Sequence, residues 1–418
     1  MTTEDIRSVT PQDEEQKLPF WVNRNFAWLF SGQAISNIGD FVYGTTLLIW
    51  VFSLTRSATA VSGVLLAQCI PMFVLGPLAG VFVDRWNRRT TMLVSDLCRT
   101  MLALLPLLAP ADLRLPVIYS SVFLLSCFGR FFMPAKSGLL QGIVPEKGLM
   151  QASSLSQSVS ASSLILGPAL AAPLYFAFGP FFALAINAAS YLVSALCIFN
   201  IRAPREVLHP YAATPENMTA TTAGSVLKEL VEGLKFALGS RILLTLILML
   251  ALAMLGGGAI NALDVVFVNR NLHAAPAIYG FIEAAAGAGV LGGTLLAALF
   301  SKKLQARQLF AGSLFLLGVG IIIYACQSWY ITAIILAFVI FAPQGGLQVG
   351  FGPIFITNTP REMIGRTQSL LDISSSGASL LSIAIAGYLG QFISVPIIFI
   401  SCGILISISG LIGWFALA

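Results

Sequence analysis

Twelve apolar runs, each long enough to cross a bilayer, constrain this chain more than any other feature. A spanning helix needs roughly 17–25 residues of mostly apolar character. Segmenting on that length places helices over 26–50, 58–82, 91–109, 116–133, 152–174, 181–200, 242–266, 277–300, 308–325, 329–350, 367–389 and 394–417. Composition agrees, with 57% hydrophobic residues, only 10% charged ones and a mean hydropathy of +0.87, where soluble domains carry about 25% charged residues. The fold class is therefore an all-α integral membrane protein of twelve transmembrane helices. A soluble enzyme and a nucleic-acid binder are both excluded, since the slight excess of 23 Lys and Arg over 18 Asp and Glu serves topology.

An even helix count puts both termini on one side. With the N-terminus inside, Arg56, Arg114 and Arg270 fall outside, Arg99 falls within helix 3, and the other basic residues gather on or near the inner side. That asymmetry predicts cytoplasmic termini in a bacterial cytoplasmic membrane. Residues 1–17 are polar and acidic, so no cleavable signal peptide is expected. The six Trp (Trp21, Trp28, Trp50, Trp86, Trp329, Trp414) sit near predicted helix ends, as in an interfacial aromatic belt. The six cysteines are scattered without pairing or metal-ligand spacing and read as small core residues. His209 and His273 fall in predicted loops, so neither a metal site nor a His-based active site is expected, and no cofactor is implied.

The chain divides into a tail at 1–25, a six-helix bundle at 26–200, a cytoplasmic linker at 201–241 and a second six-helix bundle at 242–418. The linker carries Pro204, Pro210 and Pro215. Its Leu227, Leu230, Val231, Leu234 and Leu238 share a helical face, the pattern of a helix lying on the inner leaflet. Asn217-Met218-Thr219 has the glycosylation pattern, which a cytosolic position makes irrelevant. The halves echo one another. Pro145, Ser154 and Leu155 recur as Pro360, Ser369 and Leu370, while Gly80 and Arg89 recur weakly as Gly293 and Lys302. Two pseudo-symmetric bundles of this kind are a transporter trait.

Between the second and third apolar runs stands Gly80-Val81-Phe82-Val83-Asp84-Arg85-Trp86-Asn87-Arg88-Arg89. It resembles the G-x-x-x-D-R-x-x-R-R loop of the major facilitator superfamily at every defined position. In helix 5, Ser163 to Ala172 resembles the superfamily's G-x-x-x-G-P-x-x-G-G antiporter motif, with Gly167 and Pro168 intact, the first Gly replaced by Ser and the last two by Ala. Proline there is expected to kink the helix and serve as a gate. Arg130 to Lys136 with Val144-Pro145-Glu146 look like the helix 4–5 connection of the macrolide-efflux and enterobactin-exporter-type branch; Asn25-Phe26 and Gly365-Arg366 also fit that branch. The resemblance implies that Asp84 docks at the start of helix 11, near Thr367, where a helix N-terminus favours a carboxylate. Arg85, Arg88 and Arg89 would complete this gate.

Charges inside the bilayer are costly and mark function by default. The deep acids are Asp40, Asp96, Glu283 and Asp372, with Asp264 near the outer end of helix 7 and Arg99 and Arg130 opposing them. Asp96 and Arg99, spaced i, i+3, can pair on one face. Arg130 and Asp372 could form an inner charge network. Gln33, Asn37 and Asp40 share a face of helix 1 and point to a water-lined path, where low dielectric favours the protonated form of an acid. Asn261, Gln344, Gln348 and Ser374 to Ser376 could complete a cavity from the second half. With five acids against two arginines, the cavity is expected to suit cationic or protonatable cargo.

These features, with the resemblance, imply a functional monomer: a secondary transporter in the lipid bilayer that exports an amphipathic drug-like molecule, macrolide-like or cationic, against inward proton flow. No ATP-binding loop is present. Export of an acidic siderophore or movement of a lysolipid is the alternative, favoured if Arg99 or Arg130 faces the cavity. A membrane sensor or assembly subunit that transports nothing is the alternative of another class.

Overall fold

The computed structural model describes residues 23–209, 234–301, 303–360 and 363–416, and all of its regular structure is helical. Helices α1 (Arg24–Thr55), α2 (Ala58–Arg85), α3 (Arg88–Leu108), α4 (Arg114–Ile143) and α5 (Glu146–Phe199) form the first half; the short α6 (Arg205–Leu208) follows it. The second half holds α7 (Arg241–Arg270), α8 (Ile278–Phe300), α9 (Ala306–Ala325), α10 (Tyr330–Asn358), α11 (Ile364–Leu389) and α12 (Val395–Ala416). Eleven of these are long and apolar enough to span a membrane. The twelfth crossing is contained in α5. At 54 residues it would be about 81 Å long if straight, against a hydrocarbon core of about 30 Å. Gly179 breaks it, with φ 70° and ψ −173°, a conformation essentially reserved for glycine, and Pro180 starts the second arm.

Local chemistry sets the helix ends. Asn23 caps α1 by accepting from the Phe26 N–H at 2.7 Å, and Arg56 stops it in the left-handed conformation. Ser57, Asn87 and Ser240 cap α2, α3 and α7 in the same way as Asn23. Several helices run past their sequence-derived limits. The largest correction is α4, which continues through Arg130–Lys136 to Ile143, so those residues are helical and not a connection. Only Arg130 and Lys136 of the seven are polar, and Phe132 and Ala135 are buried on the helix's packed side. Likewise Gly80 to Arg85 form the last turns of α2, and the connection to α3 is only Trp86-Asn87.

The two halves repeat one packing scheme. Helix α1 packs on α5 and α2 on α4; correspondingly α7 packs on α11 and α8 on α10. Between the halves α2 meets α11 and α5 meets α8, a pair of contacts that exchange under the pseudo-symmetry. Small residues allow these approaches. An added methyl at Gly280 would lie 2.7 Å from the Pro168 carbonyl, and at Gly287 2.9 Å from the Leu164 carbonyl.

The halves are joined at the end expected to lie outside. There Arg56 donates to Asn269 at 3.2 Å, Arg270 donates to the Arg56 and Gly390 carbonyls, and Thr59 donates to the Gly387 carbonyl at 2.7 Å. The largest buried cluster runs through both halves at this end, with Val51, Phe52 and Val61 beside Val265, Val266 and Phe267. Smaller clusters around Phe26, Met92, Phe132 and Leu139 lie within the first half.

Two further expectations are corrected. Trp50 is buried under the Arg114 guanidinium, not placed in an interfacial belt. Only Cys197 and Cys402 are buried; Cys69, Cys98 and Cys127 are half-buried, and Cys326, which caps the C-terminus of α9, is exposed. Gly167 and Pro168 keep helical backbone angles, since only Gly179 departs from them within α5. Gly167 seats Phe41 and the Ile38 carbonyl of α1, making the pair a three-helix crossing point between α1, α5 and α8. Leu227, Leu230, Val231, Asn217 and most of the 201–241 linker lie outside the described residues, as do Trp21 and Lys302.

Candidate functional site

Close packing of α1 on α5 builds the centre of the first half. Gly32 lies against Cys197 and Ser194, and Gly39 against Asn187 and Ser190, so the second arm of α5 approaches α1 without side-chain spacers. That approach brings Tyr191 onto Asp40, to which its hydroxyl donates. Arg99 reaches across from α3. Its guanidinium lies 3.2 Å from Asp40 and 3.5 Å from Asp96. It stacks 4.1 Å from the Tyr191 ring centroid and 5.6 Å from that of Phe132. One cation thus serves two carboxylates of very different exposure, 37% for the Asp40 side chain and 0% for Asp96.

Asp40 and Arg99 open onto a cavity of about 240 Å³, also lined by Gln68, Ser126, Gly129 and Arg130. Arg130 borders a second cavity, of about 330 Å³, formed with Met72, Phe73 and Gly76 of α2 and with Ser369, Asp372, Ile373 and Ser376 of α11. This second cavity lies between the two halves. Arg130 is common to both.

The other sequence candidates scatter. Gln33 donates to Ser194 at 3.2 Å and Asn37 to Ser160 at 3.5 Å, so the shared face of α1 divides its partners along α5 and only Asp40 reaches Arg99. Asp264 is buried in the second half and accepts from the Tyr324 hydroxyl at 2.9 Å. Glu283, half-buried on α8, lies near enough for its charge to act on Asp264. Asn261 and Gln348 are exposed and Gln344 is half-buried; none of the three is among the residues lining the two cavities. Asp372 accepts from Gln368 at 3.0 Å.

At the other motif, Arg88 donates to the Gly138 carbonyl at 2.9 Å and the Val207 carbonyl at 3.3 Å. Arg89 donates to the Ile198 carbonyl at 3.2 Å, donates to the Phe199 carbonyl and stacks on Phe199. Both arginines therefore satisfy carbonyls toward helix C-terminal ends, where positive charge is favoured. The Asp84 side chain lies outside the description, and so does the proposed docking of Asp84 on α11.

Sequence reasoning missed Tyr191. Its signal was present: a tyrosine in the middle of the predicted helix 6, away from either interface, needs a polar partner when buried.

This architecture of two six-helix halves around buried charge is that of a membrane transporter, and the family match agrees. The model of the family described as transmembrane secretion effector matches residues 18–417. The chain belongs to that family, within the major facilitator superfamily. It is 31% identical to the uncharacterized MFS-type transporter YfiS of Bacillus subtilis over 92% of this chain and 91% of that protein. It is 26% identical to macrolide efflux protein A of Streptococcus pyogenes, over 91% of this chain and 93% of that one. The solved nucleoside transporter NupG superposes with a TM-score of 0.74 at 10% identity, covering 93% of this chain and 100% of that structure, a likeness of fold.

Proposed function

We propose that this membrane transporter is a monomeric secondary exporter, driven by inward proton flow, that moves an amphipathic small molecule by alternating access, with both termini in the cytoplasm. Its likeness to macrolide efflux protein A supports efflux as the direction. The observation that carries the coupling reading is the sharing of Arg99 by Asp40 and Asp96. Breaking a buried ion pair by removing one partner is costly, because it strands the other charge. Here protonation of Asp40, the exposed partner, leaves Arg99 still matched by Asp96. Asp40 can then gain and lose a proton through the cavity while the buried pair persists. Tyr191, donating to Asp40, holds the carboxylate in place between the two events.

The latch of Arg56, Arg270 and Thr59 at the expected outer end supports a state in which that end is shut. Release on the outside then requires this latch to open while Asp84, Arg85 and the start of α11 close the inner end.

The test compares two modes of transport in proteoliposomes, using a macrolide as first cargo in a panel of amphiphiles. In Asp40→Asn, exchange of cargo down its own gradient should persist and uphill movement driven by a pH gradient should vanish. Intact proton-driven transport in the well-folded variant would remove Asp40 from the mechanism.

A further inference from the structure

Arg99 and Arg130 are the two deep arginines of the first half, and their surroundings differ. Arg99 is held by two carboxylates and two rings. Arg130 lies within α4, and no carboxylate lies within 4.0 Å of it among the described residues; its Nε, like that of Arg99, is buried without a hydrogen-bond partner. A cation in a spanning helix without a carboxylate in ion-pair range marks a functional site. Arg130 also stands where the two cavities meet, so whatever satisfies it must come from cavity space.

The cavity between the halves is amphipathic. Met72, Phe73 and Ile373 supply apolar surface, Ser369 and Ser376 supply hydroxyls, and Asp372 faces Arg130's cavity from α11 with its carboxylate held by Gln368. We propose that Arg130 anchors an acidic group, a carboxylate or phosphate, on the transported amphiphile, whose apolar body lies against Met72, Phe73 and Ile373. This inference rests on the transporter reading and departs from the charge preference that a count of acids gives. A guanidinium suits the task, since its fork binds carboxylate or phosphate through two parallel hydrogen bonds. Asp372 is the opposing element: it repels the anion from the α11 side and selects against weakly bound acids.

The test uses full-length protein in nanodiscs of zwitterionic lipid, with empty nanodiscs as blank. Three fluorescent probes are titrated: dansylaminoundecanoate, its methyl ester, and the dansyl amine of matching chain. The carboxylate should bind about tenfold more tightly than the other two, the gain expected of a charge-assisted bidentate contact. Arg130→Gln should erase the preference, Arg130→Lys should reduce it several-fold with its sign kept, and Asp372→Asn should widen it. If Arg130→Gln does not fold, the lysine and Asp372→Asn variants decide. No carboxylate preference in the native protein, a preference for the amine, or a preference unchanged in the Arg130 variants overturns the proposal. The assay contains no gradient. A carboxylate-selective protein that fails the Asp40 exchange test loses the coupling reading alone, and a coupled protein without selectivity loses this one alone.

Discussion

The two halves share a fold and differ in how they hold their acids. In the first half, Asp40 and Asp96 are matched by a single arginine, and one of them opens onto a cavity. In the second half, Asp264 is matched by a neutral phenol, Tyr324, and no Lys or Arg lies within 4.0 Å of it among the described residues. The large aromatic cluster of Phe267, Tyr324 and Phe399 closes around that position. A charge network with one solvated member can change protonation and stay intact. An acid tied to a phenol inside packed aromatics is a fixed element of the core. The difference teaches that a shared frame does not dictate how its buried acids are held: one half uses an arginine, the other a phenol.

The largest effect expected from this contrast is at Arg99. Arg99→Gln removes the cation from both carboxylates and should lower stability by about 3 kcal/mol, the low end for breaking a buried ion pair, because Asp40 is partly exposed and screened. Thermal unfolding of the purified protein measures this. Adding Asp96→Asn to that variant should restore much of the stability and leave proton-driven transport lost. If the single variant is as stable as the native protein, the network is no anchor and the contrast between the halves fails.

A smaller change is expected at Tyr324. Tyr324→Phe keeps the aromatic packing and takes the donor from Asp264, which should lower stability by about 1–3 kcal/mol for an unsatisfied buried acceptor. Proton-driven transport should continue, in contrast to the Asp40 and Arg99 variants. Loss of coupling with exchange intact in Tyr324→Phe would move part of the proton pathway into the second half. Tyr191→Phe should lower stability by less, about 1 kcal/mol, since Asp40 keeps its contact with Arg99.

The sequence made the frame legible because spanning helices are constrained by length and apolarity alone. It also made Asp40 legible as an unneutralised acid in mid-helix. It narrowed the partner to the two deep arginines, Arg99 and Arg130, but could not choose between them, because Arg99 lies on α3 and reaches Asp40 through helix packing, a relation without any sequence spacing. The count of five acids against two arginines carries no information on pairing, which only the fold supplies. Arg130 to Lys136 read as a connection through their resemblance to the family's segment there, and the fold keeps them in α4. The break between the fifth and sixth predicted helices, 175–180, falls where Gly179 interrupts α5; only its positive φ needed three dimensions.

The smallest effect is expected where the first-half cavity has room. Gly129 lines the cavity beside Arg130, and an added methyl there would meet nothing within 4 Å. Alanine in place of a helical glycine typically stabilises by about 0.5–1 kcal/mol through reduced backbone freedom. Gly129→Ala should therefore be slightly more stable than the native protein and transport at an unchanged rate. Gly39 is the control within the same half. A methyl there would stand 2.7 Å from Asn187 Oδ1 and crowd Ser190, forcing α1 away from α5 and Tyr191 away from Asp40. Gly39→Ala should lose stability and proton-driven transport together. A silent Gly39→Ala would show that the approach of α1 and α5 does not set the geometry of the Asp40 site. A well-folded Gly129→Ala that no longer transports would show that the cavity is filled to contact by cargo, and its free volume would then define the size limit of what the protein carries.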